Sequence, residues 1–320
     1  SIRLFDVGSP TLFREVTSSG LPLSHNGSVV WLDLHNPTQD EVRTIGSAFR
    51  FHPLAMEDVQ RRRQRPKVDV YDDHLFLVLY AIEIEAEDPR PQFQEVSIFL
   101  TSSAVVTVHR GDVEEIDIAA QRWSDHCADG MKQDAAMLVY TLADSIVDGY
   151  FPCMDDIGDY IDRIEEQMFA RAGAETLEEV FRLKRSLLEM RRAIAPARDV
   201  FNAFTRRELP LLGEHSFTYF QDVYDHVLRV TDSIDAFRDI LSSVIDVHLT
   251  LMSNNLSQTV RTLTVVSIIL MTLALIAGIY GMNFQYMPEL SWRYGYFTVL
   301  GLMATIGITL AAIFRKLHWW

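Results

Sequence analysis

Cysteine is nearly absent from this chain: Cys127 and Cys153 are the only two among 320 residues. Two thiols give no disulfide framework and suit a reducing compartment. No leader-like apolar run occurs before residue 30, where charged and polar residues alternate instead. A phosphate loop of the Gly-x4-Gly-Lys-Ser/Thr kind is missing, so ATP-driven chemistry has no motif here. Low-complexity tracts and residue-scale repeats are missing too. The most informative gap is in charge: residues 262–282 carry none, and neither do residues 294–314. Between Leu249 and Leu317 there is also no His or Cys. Zn²⁺ and softer metals prefer those ligands, so this stretch favours a hard or fully hydrated ion.

What remains in the charge-free runs is length. Each spans 21 residues, about 31 Å of helix at roughly 1.5 Å per residue, which is enough to cross a hydrocarbon core. Arg261 precedes the first run, and Arg315 and Lys316, with His318, follow the second. The connecting loop has Arg293 against Glu289. By the excess of Lys and Arg, both termini are expected inside and the loop outside. Trp292, Tyr294 and Tyr296 at one end, with Trp319 and Trp320 at the other, fit interfacial aromatic belts. The competing reading, two buried helices of a soluble core, fits poorly with a short turn between runs that have matched basic flanks.

The remainder is acidic. Positions 1–260 hold 25 basic and 43 acidic residues, a formal charge of −18. That argues against nucleic acid or anionic lipid as partner for this part, and it permits cations. A solvated acidic surface explains most of the charge equally well. Residues 28–110 read as mixed α/β: strands are predicted at Val29–Leu34, His74–Ile84, Val96–Leu100 and Val105–His109, and a helix capped at Asn36-Pro37 runs to Phe49. Beyond Gly111 the helical period predominates, predicting helices over 112–125, 133–170, 175–207 and 215–282, with a kink at Pro196. The expected segments are an α/β domain over 1–130, a helical hairpin region over 131–214 and a stalk helix over 215–258. A first span over 259–282, an outer loop over 283–293, a second span over 294–315 and a tail over 316–320 complete the chain.

Two stripes run along the last long helix. Phe220, Val223, Val227, Val230, Ile234, Phe237, Leu241 and Val244 alternate spacings of three and four, a coiled-coil seam longer than three heptads. No Pro or Gly lies between Gly213 and Gly278, so the stalk is expected to run straight into the first span as a rod of roughly 100 Å. A seam open to neighbours implies a symmetric oligomer. The second stripe is Asp246, Thr250, Ser253, Ser257, Val260, Thr264, Ser267, Met271, Ala274 and Gly278. Small and hydroxylated residues in hydrocarbon mark either close helix packing or a water-accessible pore. The stripe ends at Gly281-Met282-Asn283, which favours the pore. The Asn283 carboxamide offers an acceptor and two donors, and a ring of such groups can hold the water shell of Mg²⁺, an ion that dehydrates reluctantly. A further heptad of carboxylates, Asp225, Asp232, Asp239 and Asp246, reads as a solvated face for its first three members.

Tyr280-Gly281-Met282-Asn283-Phe284, followed by Met287-Pro288-Glu289-Leu290, closely resembles the signature loop of CorA-type magnesium/cobalt transporters. His52 to Val59 with Arg65-Pro66-Lys67-Val68 looks like that family's cytoplasmic-domain motif. Leu183-Lys184-Arg185 through Pro196, and Tyr219-Phe220 through His226, look like its stalk region. The likeness spans nearly the whole chain. It implies an α+β cytoplasmic domain, a sheet flanked by helices, with a long stalk helix and a two-helix C-terminal hairpin, assembled as a funnel-shaped homopentamer. It also implies that Asn283 side chains capture hydrated Mg²⁺ at the outer mouth and that Ser257, Val260, Leu263, Thr264, Ser267, Met271, Ala274 and Gly278 face the pore. Except for Leu263, that is the stripe already drawn from spacing. The family often has Asn at the position of Ser257 and Met at that of Val260, so the constriction here shifts toward Leu263 and Met271.

By the same resemblance, intracellular Mg²⁺ acts as a regulatory ligand at Asp222, with an acidic partner among Glu83, Glu85, Glu87 and Asp88; Glu87 or Asp88 is favoured. The expected function is potential-driven uptake of Mg²⁺, with Co²⁺ as alternative ion, through a multi-pass protein of the plasma (inner) membrane. Its partners would be its own copies, the lipid bilayer and divalent cations. Rivals are a zinc-transporting branch of the same fold, which usually alters the signature loop, and a membrane-tethered scaffold or sensor. An enzyme is the weakest reading, because His52, Glu57 and Asp58 cluster without a nucleophile.

Overall fold

In the computed structural model the described residues are 1–6, 12–17, 29–61, 64–85, 88–128, 134–171, 174–206, 209, 211–283, 287 and 291–319. By compactness the chain divides into two units, Ser1–Ser243 and Val244–Trp320.

The first unit is built on a seven-stranded sheet: β1 (Ile2–Phe5), β2 (Phe13–Val16), β3 (Val30–His35), β4 (Lys67–Val70), β5 (Leu75–Glu85), β6 (Asp88–Leu100) and β7 (Ala104–His109). Its order is β2-β1-β3-β7-β6-β5-β4. Only β3 and β7 pair in parallel; the other neighbours are antiparallel. Strand alternation sends β5 side chains to both faces. On one face Phe76 and Val78 join Leu32, Leu34, Phe99 and Val106 beneath α1 (Gln39–Phe49) and α2 (Pro53–Arg61), which contribute Val42, Ile45 and Ala55. Helices α3 (Glu114–Ala128), α4 (Ala135–Asp148) and α5 (Tyr150–Arg171) lie on the other side.

The central pair carries polar groups that the core must satisfy. Asp33 is fully buried and receives Arg3 at 2.6 Å, the Thr107 hydroxyl at 2.6 Å and His109 Nε2 at 3.2 Å. Burial alone would push its carboxyl up. The hydrogen bond and charge of His109, with those of Arg3 and Thr107, outweigh it and hold the group below the usual carboxylate range.

Two expectations shift locally. The first helix starts at Thr38, not Asn36, because Thr38 and Glu41 form a reciprocal capping box. Asn36 instead takes a positive φ and accepts the Gly111 N–H at 3.0 Å. The long helix expected over 133–170 is divided into α4 and α5 at Gly149, where a Cβ would lie 2.6 Å from a Glu115 carboxylate oxygen. Pro196 does separate α6 (Ala174–Ile194) from α7 (Ala197–Thr205).

Helix α8 runs from Phe217 to Tyr280, 64 residues without a break. Its coiled-coil seam is not open to a neighbouring copy, which corrects the expectation above. Phe220, Val223, Val227, Val230, Ile234 and Leu241 are fully buried within the chain, and Phe237 is half-buried. The Phe220 ring lies tilted against Phe204 of α7, 4.5 Å between centroids, Lys184 of α6 donates to Ser242, and Arg191 of α6 binds Asp235 at 2.8 Å. The seam is therefore consumed by the chain's own helices.

In the second unit, α8 continues toward α9 (Gly295–Lys316). Windows of both helices reach mean hydropathies of 2.4 and 2.2, long and apolar enough to cross a bilayer. Few of their side chains are covered. Most of those that are fall on one face of each, among them Val265, Ile269, Thr272 and Ile276 on α8 and Val299, Met303, Ile306, Leu310 and Phe314 on α9.

Candidate pore helix and candidate cation cluster

At roughly 100° per residue, the stripe Ser257, Val260, Thr264, Ser267, Met271, Ala274 and Gly278 lies on the side of α8 opposite the Val265–Ile276 face. Its members are exposed, Met271 to 73 %, except Thr264, which is half-buried. Leu263, at 66 %, borders it, and Asp246, Thr250 and Ser253 extend it as exposed residues. The stripe is thus the barer side of this part of α8.

Threonine hydroxyls along this part of the helix share a habit. Thr250 donates to the Asp246 carbonyl at 2.9 Å and Thr264 to the Val260 carbonyl at 2.8 Å; Thr259, Thr262 and Thr272 donate one turn back in the same way. Each proton is spent inside the helix. What the threonine oxygens turn outward is lone pairs.

The helix ends where its last carbonyls are gathered in. Gly281 N–H donates to Ala277 at 3.0 Å, and Met282 N–H to Ile279 at 3.3 Å. A Cβ on Gly281 would lie 3.3 Å from the Ala277 carbonyl oxygen, so this tight close favours a residue without one. Met282 and Asn283 follow as exposed, non-helical residues. Trp292, Tyr294 and Tyr296 are likewise exposed. Glu289 and Trp320 lie outside the described residues.

In the first unit a second constellation appears. Asp144 and Asp148 are one turn apart on α4, Asp222 and His226 one turn apart on α8. Single oxygens of Asp144 and Asp148 and a ring nitrogen of His226 all fall within 4.8 Å of one another, a spacing that can hold a metal ion. Arg122 of α3 bridges the two carboxylates at 3.0 and 2.9 Å. His226 Nδ1 sits 3.5 Å from Asp148, within ion-pair reach, yet it is buried without a hydrogen bond. Asp222 stands 3.9 Å from His226 Nε2. Burial first, then the charge of Asp148, raises the Asp144 carboxyl to about 6, with Arg122 only partly offsetting it. Burial and the same acids, Asp144 foremost, push the Tyr140 phenol up to about 12.

The sequence singled out Asp222 but missed Asp144, Asp148 and His226. Their signal was present as two acid or imidazole pairs at helical spacing, but pairing α4 with α8 needs tertiary structure. Of the suggested partners for Asp222, Glu87 lies outside the described residues, and Asp88 is described only through its backbone, which pairs with Glu85 at the start of β6.

Comparison with known proteins agrees with this architecture. Residues 26–316 match the family described as "CorA-like Mg2+ transporter protein". The chain is 35 % identical to the cobalt/magnesium transport protein CorA of Thermotoga maritima, covering 96 % of this chain and 89 % of that one. It is 37 % identical to the putative metal ion transporter YfjQ of Bacillus subtilis, over 90 % and 89 % of the two. The solved CorA magnesium transporter of Methanocaldococcus jannaschii superposes with a TM-score of 0.83 at 22 % identity, covering 100 % of this chain and 98 % of that one.

Proposed function

Because this chain belongs to the CorA-like Mg²⁺ transporter family, whose members move divalent cations and are not enzymes, we propose that it carries Mg²⁺, with Co²⁺ as a second substrate, through an axial pore in a homopentamer of the plasma membrane. The carrying observation is the α8 stripe: it is largely exposed, offers acceptor oxygens, and leads to Gly281-Met282-Asn283. Five copies placed with this face inward enclose a lining that each copy alone leaves exposed. Both termini are assigned to the cytoplasm from the basic flanks Arg261, Arg315 and Lys316.

The ion arrives hydrated. Asn283 carboxamides donate to and accept from its water shell, so capture needs no loss of inner-sphere water. Two charges crossing about 100 mV gain roughly 4.6 kcal/mol, which drives entry without a nucleotide. Leu263 and Met271 supply the apolar constriction, and Asp246 draws the cation toward the cytoplasmic end.

Control is assigned to the cytoplasmic cluster. Burial and the charge of Asp148 disfavour the ionised form of Asp144, so a divalent cation bound there, with His226 and Asp222 in reach, offsets that penalty. Such a ligand shifts gating only through its tighter binding to the closed state. A carboxylate–imidazole set also prefers Co²⁺ to Mg²⁺, so the gate should answer to Co²⁺ at lower concentration. The test of transport is Mg²⁺ uptake by proteoliposomes under an inside-negative potential. Asn283→Ala should abolish nearly all of it, and unaltered uptake would overturn the assignment.

A further inference from the structure

Two surface features of the first unit match each other and are used by nothing described so far. One is a groove of about 560 Å³ between α5 and α8, floored by Met154, Ile161, Phe237 and Ile240. Gly158 leaves that floor open: a Cβ there would meet only the Phe237 ring, at 3.7 Å. Along one wall stand Asp155, Asp159, Asp162 and Glu165, and none forms an ion pair among the described residues. The other is the outer face of α6. Phe181 is 55 % exposed there, and Arg185, half-buried Leu188 and Arg192 follow at helical spacing. Neither Arg185 nor Arg192 has an ion-pair partner among the described residues.

An aromatic side chain flanked by arginines is the composition found at interface hot spots. An apolar groove walled by unpaired carboxylates is its complement in shape and charge. We infer that the α6 face of one copy docks into the α5–α8 groove of the next, with Phe181 over Gly158 and with Arg185 and Arg192 against the carboxylate wall. Because the two patches differ, the contact is heterologous and repeats head to tail, which closes into a ring when the rotation permits. The inference rests on the self-assembly proposed above, but adds where the cytoplasmic units meet. It also replaces the stalk seam, which is buried within each copy, as a source of contacts between soluble units.

The test uses the full chain in detergent with Cys127→Ser and Cys153→Ser as background. Phe181→Cys combined with Gly158→Cys should give, under mild oxidation, a ladder of covalent oligomers that requires both substitutions and moves most of the chain out of the monomer band. Arg185→Glu should reduce the ladder several-fold, and Asp159→Arg added to it should restore it. Native mass spectrometry of the unsubstituted chain separates the two levels. An oligomer that yields no ladder overturns this contact and leaves the assembly standing, whereas a monomer overturns both. A cross-link confined to single chains also overturns the contact. Should Gly158→Cys disturb α5, loss of rings with Arg185→Glu and their return with Asp159→Arg decide the matter, since both positions are on the surface; rings unaffected by Arg185→Glu overturn the contact.

Discussion

The two ends of α8 have the same spacing of three and four residues and opposite fates. From Phe220 to Leu241 the periodic residues are covered by α4, α6 and α7 of the same chain. From Asp246 to Gly278 the periodic residues are left bare, apart from half-buried Thr264. Periodicity reports that a face has a partner, not who the partner is. Side-chain chemistry supplies the rest: large aliphatic and aromatic groups lose most by staying in water and are taken up within the fold, whereas small and hydroxylated ones can remain for an ion and its water.

The contrast can be broken most sharply in the upper half of the stripe pair. Phe220→Ala should cost about 3–5 kcal/mol, as expected for a fully buried Phe, seen as a drop in Tm of the soluble unit in the purified chain. A change on the bare stripe should do the reverse. Thr264→Val keeps the shape and should leave Tm within experimental scatter, yet lower Mg²⁺ uptake several-fold by replacing an acceptor oxygen with a methyl group.

A third measurement concerns the acids that face the buried half. The folded Asp144 carboxyl, raised to about 6, lies above its ordinary 3.8. Its contribution to stability is fully present below the ordinary value and is lost as pH rises through about 6. Mg²⁺ should therefore raise Tm more at pH 7.5 than at pH 5, by up to about 2.7 kcal/mol of stability at a hundredfold excess over Kd. Asp144→Asn should remove that pH dependence; an equal shift at both pH values would exclude this cluster as the sensor.

The smallest effect is at His74, whose Nε2 accepts the His52 N–H at 3.3 Å just before α2. Burial first, then the charge of His52, lowers its pKa below the ordinary 6.5. Stability from this group is intact above 6.5 and declines as pH falls toward the lowered value. A slight fall in Tm between pH 7 and 5.5, flattened in His74→Gln, is the expected result.

How much the sequence disclosed follows from the range of the interactions involved. The apolar spans, the long helix, the break at Pro196 and strands β3, β5 and β7 are local patterns and could be read directly. Strands β1, β2 and β4 have four residues each, too few to show a period. The first half of β6 carries Pro89 and Pro91, which look incompatible with a strand. Yet β7 pairs only with Val96–Leu100, so both prolines lie where no second neighbour needs their N–H. The exposed stripe of α8 was legible because it lies on one helix. The Asp144–Asp148–His226 cluster was not, because its two halves are separated by more than seventy residues of chain.

One consequence of the threonine hydrogen bonds reaches beyond stability. An anion entering a narrow passage needs donors to replace its water, and here the threonine protons already belong to backbone carbonyls one turn back. In the proposed pore, Thr250 and Thr264 would therefore offer an anion no donor, while their oxygens could accept from the water shell of a cation. On the proposed pore, part of the preference for positive charge would then come from hydrogen bonds between threonine side chains and the helix's own backbone, apart from any acidic side chain.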